Sequence, residues 1–188
     1  PPLRSYDRAT WELLDEGGHY DWVRLECIPG RNELIEAGAH AQYNITTDGA
    51  GHFIGHVLLE GALGAYQDET VFRIDPTGSF YVTHIWGAVY TADAAGTWLG
   101  NLPQPAGRYN DFDFTADGAE IYCSLSTATE IPVFAAATRT RSGTVDLRGY
   151  SRRVFNDGTR LVSVSRPELN VERVFVELAP LNGTARAQ

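Results

Sequence analysis

Short runs in which apolar and polar side chains alternate recur along the 188-residue chain, and most gaps between them hold glycine, proline or aspartate. Side chains on a strand point to opposite faces in turn, so a period of two predicts β-structure. The clearest case lies between Glu69 and Tyr90, where two runs rich in β-branched and aromatic residues flank Asp75-Pro76-Thr77-Gly78. Pro76 presets φ for the second turn position and Gly78 can take the positive φ that ends it. In the second run Phe80, Val82, His84, Trp86, Ala88 and Tyr90 are predicted to share one face. Further hairpins are predicted around Asp48-Gly49, Ala116-Asp117-Gly118, Ser142-Gly143 and Asn156-Asp157-Gly158, because Asp-Gly between alternating runs is a strong hairpin signal.

The start of the chain reads differently. Ser5 or Asp7 as a cap, Trp11 and Leu14 on one flank and Gly17-Gly18 as a stop predict a short helix over 5–16. After it come about ten strands, mostly joined by turns too tight for parallel crossovers. The whole chain, 1–188, is therefore expected to be one all-β domain. Its simplest form is an antiparallel up-and-down β-barrel, whose closure removes exposed edges, and a two-sheet sandwich is the alternative. No repeat of fixed period is apparent, which argues against a propeller. Residues 94–110, with their glycines and prolines, read either as a loop over a barrel mouth with Trp98 and Leu99 inward or as a surface connection.

A formal charge of −9 argues against nucleic-acid binding, and no apolar run approaches a membrane span. Every basic residue is arginine, which excludes a Schiff-base lysine, a pyridoxal anchor and a P-loop. No cofactor is expected. Acidity dominates up to Thr138, and the segment from Arg139 onward is net basic. Its arginines are expected on the solvent side of the last strands, except Arg153, which shares the Leu147 face and reads as a barrel-rim residue. Cys27 and Cys123 suit a reduced, cytoplasmic protein, with one disulfide as the alternative.

The candidate chemistry centres on histidine. His52 and His56 stand four apart, but the glycines around them disfavour a helix. On a strand they would be ~13 Å apart, too far to share one metal ion, so no metal is assigned. His84 inside an apolar wall would be held neutral and could act as a general base. The expected catalytic set is His84, His52, His56 and Asp68. Tyr66, Phe72, Phe80, Trp86, Tyr43 and Trp98 are expected to shape the binding pocket.

Gly96-Thr97-Trp98-Leu99-Gly100 resembles the Gly-x-Trp signature of lipocalin-like proteins, although that family carries it on the first strand. The helix-then-meander plan is similar to calycin barrels, and the allene-oxide-cyclase-like barrels match in architecture. Such a barrel implies a hydrophobic small-molecule ligand or substrate. The leading expectation is a cofactor-free isomerase, cyclase or lyase working by acid–base chemistry. A non-catalytic carrier or sensor of an apolar molecule, and a metal-assisted enzyme using the histidines, are the alternatives. A homodimer is compatible with this reading; nucleic acid and a membrane span are not.

Overall fold

In the computed structural model the described residues are 3–17, 24–37, 42–59, 71–85, 88–104 and 109–180. They form antiparallel sheets, with no helix among them. Strands β1 (Leu3–Tyr6) and β2 (Leu13–Gly17) make a hairpin. Sheet 1 contains β3 (Arg24–Cys27), β4 (Glu33–Ala37), β5 (Gln42–Thr47) and β6 (Phe53–Leu58). Sheet 2 contains β7 (Val71–Ile74), β8 (Phe80–Ile85), β9 (Ala88–Asp93) and β10 (Trp98–Leu102). Sheet 3 contains β11 (Tyr109–Phe114), β12 (Glu120–Leu125), β13 (Glu130–Ala135) and β14 (Thr140–Asp146). Sheet 4 contains β15 (Tyr150–Asn156), β16 (Arg160–Arg166) and β17 (Phe175–Pro180). Within each sheet every strand pairs with the next in sequence.

Turn chemistry explains the first hairpins of sheets 2 and 3. The Asp75 carboxylate accepts backbone N–H bonds from Thr77 (2.9 Å), Ser79 (2.7 Å) and Phe80 (2.8 Å), and the Thr77 hydroxyl also donates to it. Gly78 then turns the chain at a φ of 69°, and Gly118 does the same at 70°. A Cβ on Gly118 would lie 2.7 Å from Asp75 Oδ2, so the turns of neighbouring sheets touch. Only a residue without a side chain fits there.

The core lies between the sheets. Ile28, Ile35 and Leu59 from sheet 1 meet Phe72, Tyr81 and Ala92 of sheet 2. On the other side of sheet 2, Val71, Val82, Val89 and Leu102 meet Phe112, Phe114, Ile121, Cys123 and Phe134 of sheet 3. Tyr122, Ile131, Val133 and Val145 of sheet 3 then meet Val154, Leu161 and Ala179 of sheet 4. The first strands β3, β7, β11 and β15 touch one another in that order. Four-stranded antiparallel meanders set around a common line of inner strands are the blades of β-propellers, and the described strands are arranged as a run of such blades.

This corrects several expectations. The strands are antiparallel and turn as predicted at Asp48-Gly49, Asp75 to Gly78, Ala116 to Gly118 and Asn156 to Gly158, whereas Ser142-Gly143 lies inside β14 and the chain reverses at 136–139 instead. Backbone pairing stops at the end of each sheet, and no closed barrel forms among the described residues. No repeat of fixed period is apparent in the sequence because the structural units, whose first strands begin at Arg24, Val71, Tyr109 and Tyr150, recur at unequal spacings of roughly forty residues. Residues 5–16 are not helical. Asp7 Oδ1 does accept the N–H groups of Ala9 and Thr10, as a cap would, at 2.8 and 2.7 Å. The Asp7 N–H, however, donates to the Glu12 carbonyl and closes a hairpin. The predicted face from Phe80 to Tyr90 is divided between β8 and β9, which pair antiparallel. The supposed loop at 94–110 contains β10, paired to β9. Among the described residues no helix is long and apolar enough to cross a membrane.

Candidate functional site

Three places gather polar chemistry, and the first follows from the stacking of the inner strands. Glu26 on β3, Arg73 on β7, Asp111 on β11 and Arg153 on β15 form a ladder of alternating sign. Arg73 Nη1 donates to Glu26 Oε1 at 2.5 Å, and Arg73 Nη2 lies 3.4 Å from Asp111 Oδ1. Arg153 Nη1 stands 3.7 Å from the same oxygen. Asp111 is fully buried, and desolvation outweighs the two guanidinium groups, holding its carboxyl above the ordinary range. Asp111 and Asp113 also accept the Val154 and Asn156 N–H groups, at 3.3 and 2.5 Å. These carboxylates tie sheet 4 to sheet 3. Beside them Ser124, Ser151, Ser163 and Ser165 hand one buried hydroxyl chain across the same interface.

The second place is a cleft of about 460 Å³ where the end of sheet 2 meets sheet 3. Tyr109, Leu125, Pro132 and Phe134 contribute apolar surface, with Thr127 and Glu130 beside them. Arg141 is held at the rim by Glu130 Oε1 (3.0 Å) and donates to Thr144 Oγ1 (2.6 Å). The Tyr109 hydroxyl donates to the Pro103 carbonyl at 3.2 Å. Burial raises its pKa further, keeping it a neutral phenol.

The third lies on the face of sheet 1 turned away from sheet 2. Register places Glu36 opposite Tyr43, and Ile45 opposite His56. His56 Nε2 stands 3.6 Å from Glu36 Oε2, and its ring lies 4.4 Å from that of Tyr43. Glu36 is only 2% exposed, its Oε2 accepts no hydrogen bond among the described residues, and desolvation raises its pKa. A cleft of about 310 Å³ borders His56, lined also by Leu3, Gly17, Phe53 and Ile54.

The sequence-predicted residues are dispersed. His56 and Tyr43 come together, joined by Glu36. His52 is elsewhere, at the turn before β6, with Nδ1 2.7 Å from Asp48 Oδ2; that contact draws the Asp48 pKa down to about 2. His84 is 3% exposed on sheet 2 and meets the Tyr109 ring edge-on at 6.4 Å. Phe72 stacks with Tyr81 at 4.9 Å in the interface between sheets 1 and 2, whereas Phe80 meets Phe114 at 5.6 Å in the next one. Trp98 is 58% exposed and donates to Asn101 Oδ1 at 2.9 Å, so it does not point inward. Tyr66, Asp68 and Trp86 lie outside the described residues. Among those described, no three His, Cys, Asp or Glu side chains group to hold a metal.

Sequence reasoning passed over Glu36, Arg73 and Asp111. Glu36 and Asp111 are acids on strands whose neighbours are apolar, as in Leu34-Ile35-Glu36 and Asp111-Phe112-Asp113-Phe114. An acid interrupting an apolar run is a signal for a buried carboxylate.

No family model matches the chain, and no curated protein matches it. Among solved structures it is similar to Raptor from Chaetomium thermophilum, with a TM-score of 0.66 and 12% identity over 95% of this chain and 19% of that one. It is also similar to hydrazine synthase from Kuenenia stuttgartiensis, with a TM-score of 0.60 and 15% identity over 87% of this chain and 49% of that one. The chain thus spans half or less of either neighbour. At these identities the likeness concerns the fold.

Proposed function

We propose that the chain is a non-catalytic binding module in which stacked sheets hold a small amphipathic molecule with an aromatic or apolar body. The observation that carries this reading is the cleft beside Tyr109. Its volume suits a small ligand. Tyr109 and Phe134 offer ring surface, and Arg141 at the rim offers guanidinium donors to an acidic or carbonyl group. In this reading His84 is structural, backing the Tyr109 ring.

A second reading is favoured by the buried Glu36 carboxyl beside His56. A carboxyl with a raised pKa touching an imidazole at a cleft is a setting for proton transfer. There a cofactor-free isomerase, cyclase or lyase would use His56 with Glu36, and Tyr43 would fix the ring.

One set of measurements separates the two. Anilinonaphthalene sulfonate, an aromatic body bearing one anionic group, is titrated into the native protein. Thr127→Trp, which fills the cleft from its exposed rim, is expected to weaken the bound probe about tenfold without changing the melting temperature. Unchanged affinity in that variant would remove the cleft as the site. His56→Gln is expected to bind the probe like the wild type. Turnover of a hydrophobic substrate by the wild type, lost in His56→Gln, would instead establish the enzyme reading.

A further inference from the structure

The interface between sheets 2 and 3 opens a second time, away from Tyr109. Phe80 and Leu99 on one side and Ala119, Ala135 and Ala136 on the other line a cleft of about 360 Å³. It shares no lining residue with the cleft beside Tyr109. Phe80 and Ala136 also pack on the core between the two sheets, so the floor is built from side chains already fixed by the fold.

Arg139 supplies the charge. It ends the turn between β13 and β14, where its N–H donates to the Ala135 carbonyl at 2.8 Å. Its φ is 58°, a left-handed conformation that disfavours a long side chain. From there the side chain reaches across the interface to β10, where a Cβ on Gly100 would lie 2.6 Å from Arg139 Nε. Gly100 itself has a φ of 143° beside a register shift in the β9–β10 pairing. Two unusual backbone positions on facing sheets therefore let the guanidinium lie against the main chain. Arg73, Arg141 and Arg153 each face a carboxylate. Arg139 is half-buried, and among the described residues its guanidinium has neither an ion-pair nor a hydrogen-bond partner. The Thr91 hydroxyl, also at the cleft, is already engaged, donating to the Gly100 carbonyl at 3.0 Å.

We infer that this cleft binds a small aliphatic carboxylate. The hydrocarbon body lies between Phe80, Leu99 and the alanines, and the carboxylate accepts paired N–H bonds from Arg139. A guanidinium fork matches a carboxylate in plane and spacing. A phosphate dianion fits less well, because Arg139 is the sole cation among the lining residues and the second charge would go unmatched. The volume lies at the low end of the range for ligand pockets, which limits the body to a short chain.

Isocaproate, titrated into the intact chain and followed by amide chemical shifts, tests this. Saturable shifts are expected at Leu99, Ala119 and Ala136 with millimolar affinity. Isocaproamide, the same body without the charge, should bind about tenfold more weakly. Arg139→Gly relieves the left-handed φ, so it should melt no lower than the wild type while losing affinity for isocaproate about tenfold. Amide bound as tightly as acid, isocaproate displaced by an equal concentration of inorganic phosphate, or unchanged affinity in Arg139→Gly would each overturn the site. So would shifts confined to Tyr109 and Leu125, or none that saturate. Should Arg139→Gly not fold, the comparison of acid with amide on the wild type decides.

Discussion

Asp111 concentrates the electrostatics of the fold in one carboxyl. It is fully buried and has Arg73 and Arg153 at 3.4 and 3.7 Å. Neither contact is a short, bidentate pair, and desolvation dominates its titration. A carboxyl whose pKa is raised on folding binds protons more readily in the native state. Its contribution is therefore favourable at low pH and is lost as pH rises through the folded pKa. Asp113 and Glu36 act in the same direction, again through burial. Asp111→Asn removes the charge and keeps an acceptor for the Val154 N–H, so stability at pH 7 should stay within about 1 kcal/mol of the wild type. Urea titrations between weakly acidic and neutral pH should show a smaller loss of stability with rising pH in the variant. Identical slopes would mean that Asp111 does not titrate in that window. Asp111→Ala leaves the Val154 donor unsatisfied and should cost about 2 kcal/mol.

At the scale of elements, the first hairpin turns do more than reverse the chain. Gly118 and Gly158 both need positive φ, 70° and 90°, but their surroundings differ. A Cβ at Gly118 would strike Asp75 Oδ2 of the neighbouring sheet, whereas one at Gly158 meets nothing within 4 Å. Gly158→Ala should therefore cost only the left-handed backbone term, about 1 kcal/mol. Gly118→Ala adds the collision between sheets and should cost about 2 kcal/mol more, read as the difference between two denaturation midpoints. Equal costs would show that the turns do not pack on one another. These turns were the most legible part of the sequence, because Asp-x-x-Gly and Asp-Gly punctuate a strand by local chemistry alone. Asp7 misled for the same reason: the bonds from Ala9 and Thr10 that mark a helix cap also open a hairpin loop. Which faces are buried was much less legible. Tyr81, Val82, Thr83 and His84 are all buried in succession, because sheet 2 is covered on both sides, so alternation cannot mark an inward face. Tyr43 and His56 could be picked as polar aromatics, but their meeting with Glu36 depends on the register of three strands.

The described residues form a stack in which the main contacts between sheets 1 to 4 join neighbours. Sheet 2 places Phe72, Tyr81 and Ala92 in one core and Val71, Val82, Val89 and Leu102 in the next. Sheet 3 is likewise shared, with Phe112 and Phe134 on one side and Tyr122 and Ile131 on the other. Sheets 1 and 4 each belong to a single cluster. In an assembly of this kind stability is close to a sum of units and nearest-neighbour interfaces, and an inner unit opens only when two interfaces are lost. Native-state hydrogen exchange should therefore be slowest in β8 and β12, close to the global unfolding free energy, and faster by a factor of ten or more (about 1.4 kcal/mol) in β4 and β16. A gradient from the middle outward is the mark of a stack. Uniform protection across the four sheets would mean that they open together as one cooperative body, and that the interfaces between sheets are as strong as the pairing within them.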